Sequence, residues 1–465
     1  MTTESGEALR ALSIREAGAR LRAGSLTSVT LTRAFLERIA AADAEIHAFV
    51  RVTEERALRD AANADDDFRA GVDRGPLQGI PYAMKDVIET AGIVTSSHSR
   101  IHQDHVPSAD APAVARLARG GAVLLGKLAT YEFAMGGPSF DLPLPPARNP
   151  RDTDHIPGGS SSGSGAAVAA GMVRMALGTD SAGSIRWPAH CCGVVGFKPT
   201  TGLVSTRGVL PLSPSLDHVG PLAATVDDAA LTLQVICGFD AADPRSVDVS
   251  APRFTADLGA GVDGLRLGVP RAFLAAGDDV DPAVTTVFEQ AVRVLEGLGA
   301  TVEDVTLPDF RLFDACNRII LAAEAFSIHE DDISRRPSDY GRYAYQRIAS
   351  GATLSAADYL RATRARGELT ARVDELLSGY DALVLPTAVR AAPRFSDYGA
   401  DSAKPAGIRT QPFNLTGHPA LSVPMGVAPE GLPLGLQVIG RRFEDATVLR
   451  IGAAFEAAVA DAVAV

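Results

Sequence analysis

The stretch HIPGGSSSGSGAAVAAGMVRMALGTDSAGSIRWPAHCCGVVGFKPTTG, residues 155–202, contains two turns that consist almost entirely of small residues. Serine and glycine fill Gly158–Gly165 and return at Ser181–Ser184. Between the turns, the apolar pattern predicts a short helix over Ala166–Met172 and a buried strand over Val173–Leu177. Because small residues let a bound group approach the backbone closely, these turns are the first candidates for a functional site.

Strands and helices alternate along the rest of the chain. Helical periodicity covers about residues 1–60, residues 281–300 and a final segment from Asp445. The alternation is typical of the α/β class with a large mixed sheet rather than a purely parallel one. The predicted strands are Val123–Gly126 and the segments GLRLGVP, ATVEDVTLP, YDALVLPT, ALSVPMGV and LPLGLQVIG.

No linker or repeat divides the chain, so we expect one domain over residues 1–465. Residues 300–380 are more helical and more charged than the rest, and we expect them to cap the sheet. Residues 137–150 are rich in proline, which excludes regular structure there.

Charge and composition exclude several classes of function. The formal net charge of −12 argues against nucleic acid as a partner, since phosphate binding requires a basic face. We expect no membrane span, no metal and no cofactor, because neither long apolar runs nor ligand spacings occur. The absence of a signal sequence predicts a cytoplasmic protein. The sequence does not determine the oligomeric state, and a homodimer stays open. Buried, reduced thiols are expected for Cys191, Cys192, Cys237 and Cys316.

Two familiar serine and glycine motifs fit the first turn poorly. The Gly158–Gly165 loop lacks the Gly-Lys-Ser/Thr ending of a phosphate-binding loop. Ser161 lies at the centre of a G-x-S-x-G pattern, but that elbow needs a preceding strand, and Pro150 and Pro157 exclude one. A Ser-His-Asp triad stays open, with His218 and His418 available. Solvated surface positions are favoured for His98, His102, His105 and His329, and a core position for His190.

Lys85 is the single lysine in the apolar run GIPYAMKDVIET. Burial would lower its pKa by several units from about 10.4. The resulting neutral amine could act as a general base. The alternative is a lysine that extends to solvent and pairs with Asp86.

Taken together, Lys85, the GGSSSGSGAAVAAG loop and LGTDSAGSIRWPAHCCGVVGFKPT resemble the amidase signature family. The likeness extends to GKLATYEFAMG, SLDHVGPLAATVDDAA, YDALVLPT and GHPALSVPMG, and so covers most of the chain. The resemblance implies a large mixed β-sheet with helices on both faces. It also implies a Ser–cis-Ser–Lys triad, in which Ser184 is the nucleophile, Ser160 the bridging serine and Lys85 the base.

The resemblance assigns further roles around the triad. Backbone N–H groups of the second turn would form an oxyanion hole at Ser181, Ala182, Gly183 and Ser184. Structural support is expected from Asp180, Arg186, Gly159 and Ser161. Ala182 stands where the family commonly has glycine, which is acceptable only if the φ angle of Ala182 is negative.

The segment after FAMG reads GPSFDLPLPP, where the amidotransferase A-type subunits of the family carry polar residues. This difference favours a stand-alone hydrolase of small-molecule amides or carbamates, with an apolar or aryl pocket and esters as side substrates. One alternative is a glutamine-hydrolysing amidotransferase A-type subunit with partner subunits, and another is a catalytically silent binding protein. The expected substrate contacts are Met135, Gly136, Gly137, Phe140 and Ile320.

Overall fold

The structure is a computed structural model that describes residues 4–249, 253–274, 280–398 and 407–463. Within these ranges, eleven strands form one sheet. They are β1 (Phe49–Val52), β2 (Pro81–Lys85), β3 (Val123–Leu128), β4 (Met175–Thr179), β5 (Val195–Lys198), β6 (Val219–Ala223), β7 (Arg266–Val269), β8 (Thr301–Asp304), β9 (Ala382–Pro386), β10 (Ala420–Val427) and β11 (Pro433–Gly440).

The sheet is mixed, as predicted. Its strand order is β1-β3-β2-β4-β6-β5-β10-β11-β9-β7-β8. The pairs β2–β3, β2–β4, β7–β8 and β7–β9 are parallel, and the remaining neighbours are antiparallel. Parallel neighbours require crossover connections, which here contain helices.

Helices flank both faces of this sheet. Those of the described ranges are α1 (Gly6–Ala11), α2 (Ile14–Arg22), α3 (Ser28–Ile46), α4 (Glu54–Arg69), α5 (Pro112–Arg119), α6 (Ser162–Ala169), α7 (Arg186–Cys192), α8 (Val226–Ile236), α9 (Arg271–Leu274), α10 (Pro282–Gly297), α11 (Phe310–Arg335), α12 (Arg342–Ala349), α13 (Ala356–Leu377), α14 (Gln411–Leu415) and α15 (Asp445–Val463). No helix of the described residues is both long and apolar enough to cross a membrane.

Several sequence predictions are confirmed. Strand β10 has the predicted limits, and α11, α12 and α13 occupy the segment expected to be helical. The proline-rich residues 137–150 contain no helix or strand. The apolar stripe of α10 faces the core, where all five of its predicted members are buried: Val284, Phe288, Ala291, Val292 and Leu295.

The helix and strand predicted between the two small-residue turns are displaced. Helix α6 begins four residues earlier than predicted, because the Gly163 N–H donates to the Ala129 carbonyl at 2.9 Å and compensates for a poor helix-forming sequence. Strand β4 begins two residues later, since its pairing with β6 runs from Met175 to Thr179. The N-terminal region predicted to be helical is also interrupted by β1.

The topology brings Lys85 and the second small-residue turn together at the carboxyl ends of two neighbouring strands. Strands β2 and β4 are parallel neighbours, so their carboxyl ends lie side by side. Lys85 is the last residue of β2, and Thr179 is the last residue of β4. The turn at Ser181–Ser184 therefore begins beside Lys85.

Candidate active site

Lys85 is fully buried and binds two hydroxyl groups. Its Nζ atom lies 2.7 Å from the Ser160 Oγ atom and 2.7 Å from the Thr179 Oγ1 atom. Burial lowers the pKa of Lys85 to about 7, against the opposing effect of the Asp217 and Asp180 carboxylates. The side chain therefore holds a substantial fraction of neutral amine near neutral pH. It does not extend to solvent or pair with Asp86, so the alternative that the sequence left open for Lys85 is wrong.

The first small-residue turn contains Ser160 and lies against the second turn. The Gly159–Ser160 peptide bond is cis. The Ser160 carbonyl accepts the Tyr131 N–H at 3.1 Å. A Cβ atom at Gly159 would collide with the Tyr131 ring, so glycine is required at this position.

Ser161 joins the two turns. Its N–H donates to the Ser184 carbonyl at 3.2 Å, and its Oγ atom donates to the Thr179 carbonyl at 3.1 Å. Ser161 is completely buried. Its position fits the expected structural support and not a nucleophile at the centre of an exposed elbow.

Asp180 and Arg186 form a buried ion pair behind the second turn. Their side chains lie 3.0 Å apart at Arg186 Nη2 and Asp180 Oδ1, and both are fully buried. Burial alone would raise the pKa of Asp180, but the Arg186 guanidinium, together with Lys198 and the Asn414 amide, outweighs that effect and lowers the pKa well below its usual range. The Asp180 carboxylate also accepts the N–H groups of Gly183 at 2.6 Å and Ile185 at 3.1 Å.

Some backbone N–H groups of the second turn are free to bind a substrate oxygen, and one is not. Among the described residues, no acceptor bonds the N–H groups of Ser181, Ala182 or Ser184, whereas the Gly183 N–H is bonded to Asp180. Ala182 has no positive φ angle, so its Cβ atom is compatible with the turn. Gly183 has a φ angle of 132°, and a Cβ atom there would collide with the Thr410 hydroxyl.

Ser184 is the last residue of the second turn and is partly exposed. Within the described part of the chain, no hydrogen bond joins its Oγ atom to that of Ser160 or to another group. Catalytic hydrogen bonds often tighten only when a substrate binds. Of the two contacts that a Ser184–Ser160–Lys85 triad needs, the described residues therefore form the one between Lys85 and Ser160.

Polar residues that the sequence analysis did not single out fix the shape of the second turn. The Ser181 hydroxyl donates to the Asp217 carboxylate, and its carbonyl accepts from the Asn317 amide at 3.3 Å. The Thr410 hydroxyl donates to the Ala182 carbonyl at 2.6 Å. Asp217 lies in SLDHVGPL, a segment that shares the family likeness, and that likeness was the only available signal. Asn317 belongs to α11, so the helical segment over 300–380 does contact the turn.

Three of the expected substrate contacts, Met135–Gly137, are consecutive in the chain, and we call them the substrate segment. Met135 is buried beside Phe133, while Gly136 and Gly137 pack against Tyr343 and Tyr398. The role of these three positions in substrate binding stays a prediction.

The other two expected substrate contacts lie elsewhere. Phe140 is 60% exposed and contacts the ring of Phe395 at the surface. Ile320 is 1% exposed and belongs to the main core, because α11 directs that residue inward. Neither side chain is therefore positioned as a pocket wall.

The histidines do not complete a Ser-His-Asp triad in this structure. His218 is buried, with Nδ1 at 2.7 Å from the Leu216 carbonyl and Nε2 at 2.8 Å from the Thr201 hydroxyl. His418 lies 3.1 Å from Asp374. His190 is a core residue, as predicted, but His98 and His329 are buried and not solvated.

The described residues contain no cluster of three or more ligand side chains suited to a metal ion.

Comparisons with a family model, with curated proteins and with solved structures all point to the same protein family. The family model Amidase matches residues 30–449. The A-type subunit of the glutamyl-tRNA(Gln) amidotransferase of Trichlorobacter lovleyi is 41% identical over 464 residues, which cover 94% of this chain and 95% of that protein.

Two solved structures are similar over nearly the whole length. The structure titled "An unexpected vestigial protein complex reveals the evolutionary origins of an s-triazine catabolic enzyme" is 34% identical, with a TM-score of 0.90 and coverage of 97% of this chain and 98% of that one. The peptide amidase of Stenotrophomonas maltophilia is 33% identical, with a TM-score of 0.85 and coverage of 96% of each chain.

Proposed function

Since this chain belongs to the amidase signature family, we propose that it hydrolyses the C–N bond of a carboxamide through an acyl-enzyme on Ser184. The observation that carries the proposal is the 2.7 Å contact between the Lys85 amine and the Ser160 hydroxyl, beside a turn with unbonded N–H groups. A serine hydroxyl needs a base to become nucleophilic, and a buried amine can supply one.

The proton moves through Ser160 in this proposal. Lys85 accepts the Ser160 proton while Ser160 accepts the proton of Ser184. The Ser184 Oγ atom then bonds to the substrate carbonyl carbon. The same path returns the proton to the leaving nitrogen, the C–N bond breaks, and water later hydrolyses the ester.

The second turn would stabilise the oxyanion of the tetrahedral intermediate. The donors are the N–H groups of Ser181, Ala182 and Ser184, because Asp180 accepts the Gly183 N–H. One donor of this kind is commonly worth about 10²–10³ in kcat. Asp180, Arg186, Gly159 and Ser161 hold the two turns in place.

We propose glutamine as the amide, and the role of an amidotransferase A-type subunit that depends on partner proteins. Identity of 41% across nearly the full length of such a protein supports this role over the stand-alone hydrolase expected from the sequence. The expectation of an apolar pocket is also weakened, because Phe140 faces solvent and Ile320 lies in the core.

A cation near the substrate segment agrees with an amino acid substrate. Arg347 of α12 lies near Tyr343 and Tyr398, the two rings that contact Gly136 and Gly137. Among the described residues it has no carboxylate partner. Burial and the neighbouring Arg318 lower the pKa of Arg347. A substrate carboxylate would neutralise this charge.

A stand-alone amide or carbamate hydrolase is the second candidate. Every group of the proposed proton path comes from one chain, and the peptide amidase shares the fold over 96% of its length. Amides, carbamates and esters all pass through a tetrahedral oxyanion, so the triad does not select among them.

Product release from glutamine, aryl amides and aryl carbamates tests these roles. Wild type and Ser184→Ala are compared alone and with the host's other amidotransferase subunits. We expect ammonia from glutamine to increase when partners are added, and no product from Ser184→Ala. Arg347→Met should raise KM for glutamine, whereas the exposed control Arg364→Met should not.

Each contrary outcome has a distinct meaning. Efficient cleavage of aryl substrates by the chain alone, without glutaminase activity in any mixture, would replace the first role by the second. Turnover by Ser184→Ala would overturn both.

A further inference from the structure

Two loops beside the substrate segment have a backbone conformation that residues with side chains rarely adopt. The φ angles are 53° at Ser97, 57° at His98, 50° at Phe133 and 61° at Ala134. Within the described ranges, only two other non-glycine residues have positive φ angles. The Phe133 N–H donates to the Ser97 carbonyl at 3.1 Å, so the two strained pairs are in direct contact. Backbone strain of this kind is costly and is concentrated at functional sites.

Glu132 joins these two loops. It directly precedes the strained pair at Phe133, and Ser99 directly follows the strained pair at Ser97. The Glu132 Oε1 atom accepts the Ser99 hydroxyl at 2.6 Å. Because Glu132 is only 1% exposed, water does not compete for this contact.

The second oxygen of Glu132 binds the beginning of α12. Its Oε2 atom accepts the N–H of Gly341, the residue before that helix, at 2.7 Å. The Asp141 carboxylate accepts the next N–H, that of Arg342, at 2.8 Å. Gly341 has no side chain to cap α12, so carboxylates from other segments satisfy these N–H groups and the positive end of the helix dipole.

Helix α12 packs directly on the substrate segment. A Cβ atom at Gly136 would lie 3.3 Å from the Tyr343 carbonyl oxygen, so the two backbones are in close contact. Arg347, to which we assign the substrate carboxylate, lies one turn further along the same helix. A displacement of α12 would therefore move Arg347 away from the substrate.

The Glu132 carboxylate is buried without a paired charge. Among the described residues it forms no ion pair, and burial raises its pKa to about 7, with Arg100 and Asp141 as charged neighbours. A buried carboxyl group of this kind is costly unless its oxygen atoms are hydrogen-bonded. A glutamine in its place could keep both contacts, because its oxygen would accept the Gly341 N–H and its amide would donate to the Ser99 hydroxyl.

We propose that Glu132 is a positioning residue that determines substrate specificity. Its two hydrogen bonds fix α12 against the substrate segment and thereby hold Arg347 where the substrate carboxylate binds. Glu132 does not touch the substrate in this role, since both of its oxygen atoms are bonded within the protein. The inference rests on the proposed hydrolysis of glutamine.

The preference for glutamine over 4-aminobutanamide tests this role, because the second amide lacks only the carboxylate. The preference is the ratio of the two kcat/KM values, measured with the partner subunits present. Glu132→Ala should raise KM for glutamine about tenfold with little change in kcat, and 4-aminobutanamide should be nearly unaffected. A general loss of structure would instead lower both kcat/KM values equally.

Two further variants separate the contact from folding. Gly341→Ala places a Cβ atom 2.9 Å from the Glu132 Oε2 atom, so it should reduce the preference as Glu132→Ala does. Glu132→Gln can keep both hydrogen bonds and should retain the preference of wild type.

The matched control is Glu456→Ala. Glu456 is a largely buried carboxylate whose pKa burial raises to about 7, and it accepts the Val226 N–H at the beginning of α8. Its removal should lower stability and leave the preference for glutamine unchanged.

Four results would overturn the inference. They are equal use of the two amides by wild type, an unchanged preference in Glu132→Ala (or in Gly341→Ala if the first variant does not fold), a loss in Glu132→Gln as large as in Glu132→Ala, and an equal loss in Glu456→Ala. If glutamine is hydrolysed, each of these results leaves the proposed function standing. No hydrolysis of glutamine in any mixture would overturn the proposed function and this inference together.

Discussion

The protonation of Lys85 should set the pH dependence of catalysis. Burial lowers its pKa to about 7, and the neutral amine is the active base in our proposal. At pH 6 about one Lys85 in ten is neutral, so kcat/KM should be about tenfold below its plateau above pH 8. Activity should therefore rise with pH through neutrality, opposite to the behaviour of a required acid.

Asp217→Asn tests whether this inflection belongs to Lys85. The Asp217 carboxylate raises the pKa of Lys85 against the effect of burial, so its removal should move the inflection to lower pH. Asp217→Asn also weakens the support of Ser181 and should reduce kcat, which is a separate effect. Asp227→Asn, in an exposed pair with Arg15, is the control and should leave the inflection unchanged.

The assay is initial-rate hydrolysis of one amide between pH 5.5 and 9, with folding checked by circular dichroism at each end. A flat profile across neutrality would refute the role of Lys85 as the titrating base. An inflection that stays in place in Asp217→Asn would refute its assignment to Lys85.

Three substitutions test the supporting structure. Arg186→Leu leaves a buried carboxylate unpaired and should cost about 3–5 kcal/mol in urea unfolding, while Arg15→Leu, from an exposed pair, should cost less than about 1 kcal/mol. Gly183→Ala introduces a Cβ atom at a φ of 132° and against a threonine hydroxyl, so kcat should fall steeply, whereas Gly297→Ala has open space and should not affect turnover. Thr179→Val removes one of the two hydroxyl partners of the proposed base and should lower kcat/KM about tenfold, and Thr179→Ser should restore it.

Each of these three substitutions has one result that would contradict its stated role. Equal losses of stability for the two arginine variants would mean that the buried pair does not brace the turn. Full activity in Gly183→Ala would mean that the turn is not shaped as described. Equal rates for the valine and serine variants would show that the Thr179 hydroxyl has no role.

The elements with strong periodicity could be predicted from the sequence, and those shaped by tertiary contacts could not. The apolar stripe of α10 and the limits of β10 follow from local pattern. The start of α6 does not, because serine and glycine are poor helix formers and the bond from Gly163 to Ala129 comes from a distant segment.

The same division applies to the candidate site. Lys85, Ser160 and Ser184 could be predicted as candidates because their residue types and order match a family pattern, and their catalytic roles stay a proposal. The partners of the second turn come from separate parts of the chain, such as Asn317 and Thr410, and no local pattern marks them. Ile320 was misplaced because residue spacing alone does not tell which face of a long helix meets the core.

The central claim is that Ser184 forms the acyl-enzyme with Lys85 as its base. Rapid acid quench during turnover of an aryl ester, followed by peptide mass spectrometry, tests it most directly. We predict an acyl adduct on the peptide containing Ser184 in wild type, a slower adduct in Lys85→Ala and none in Ser184→Ala. An adduct on Ser160 or Ser161, or undiminished turnover by Ser184→Ala, would contradict the account.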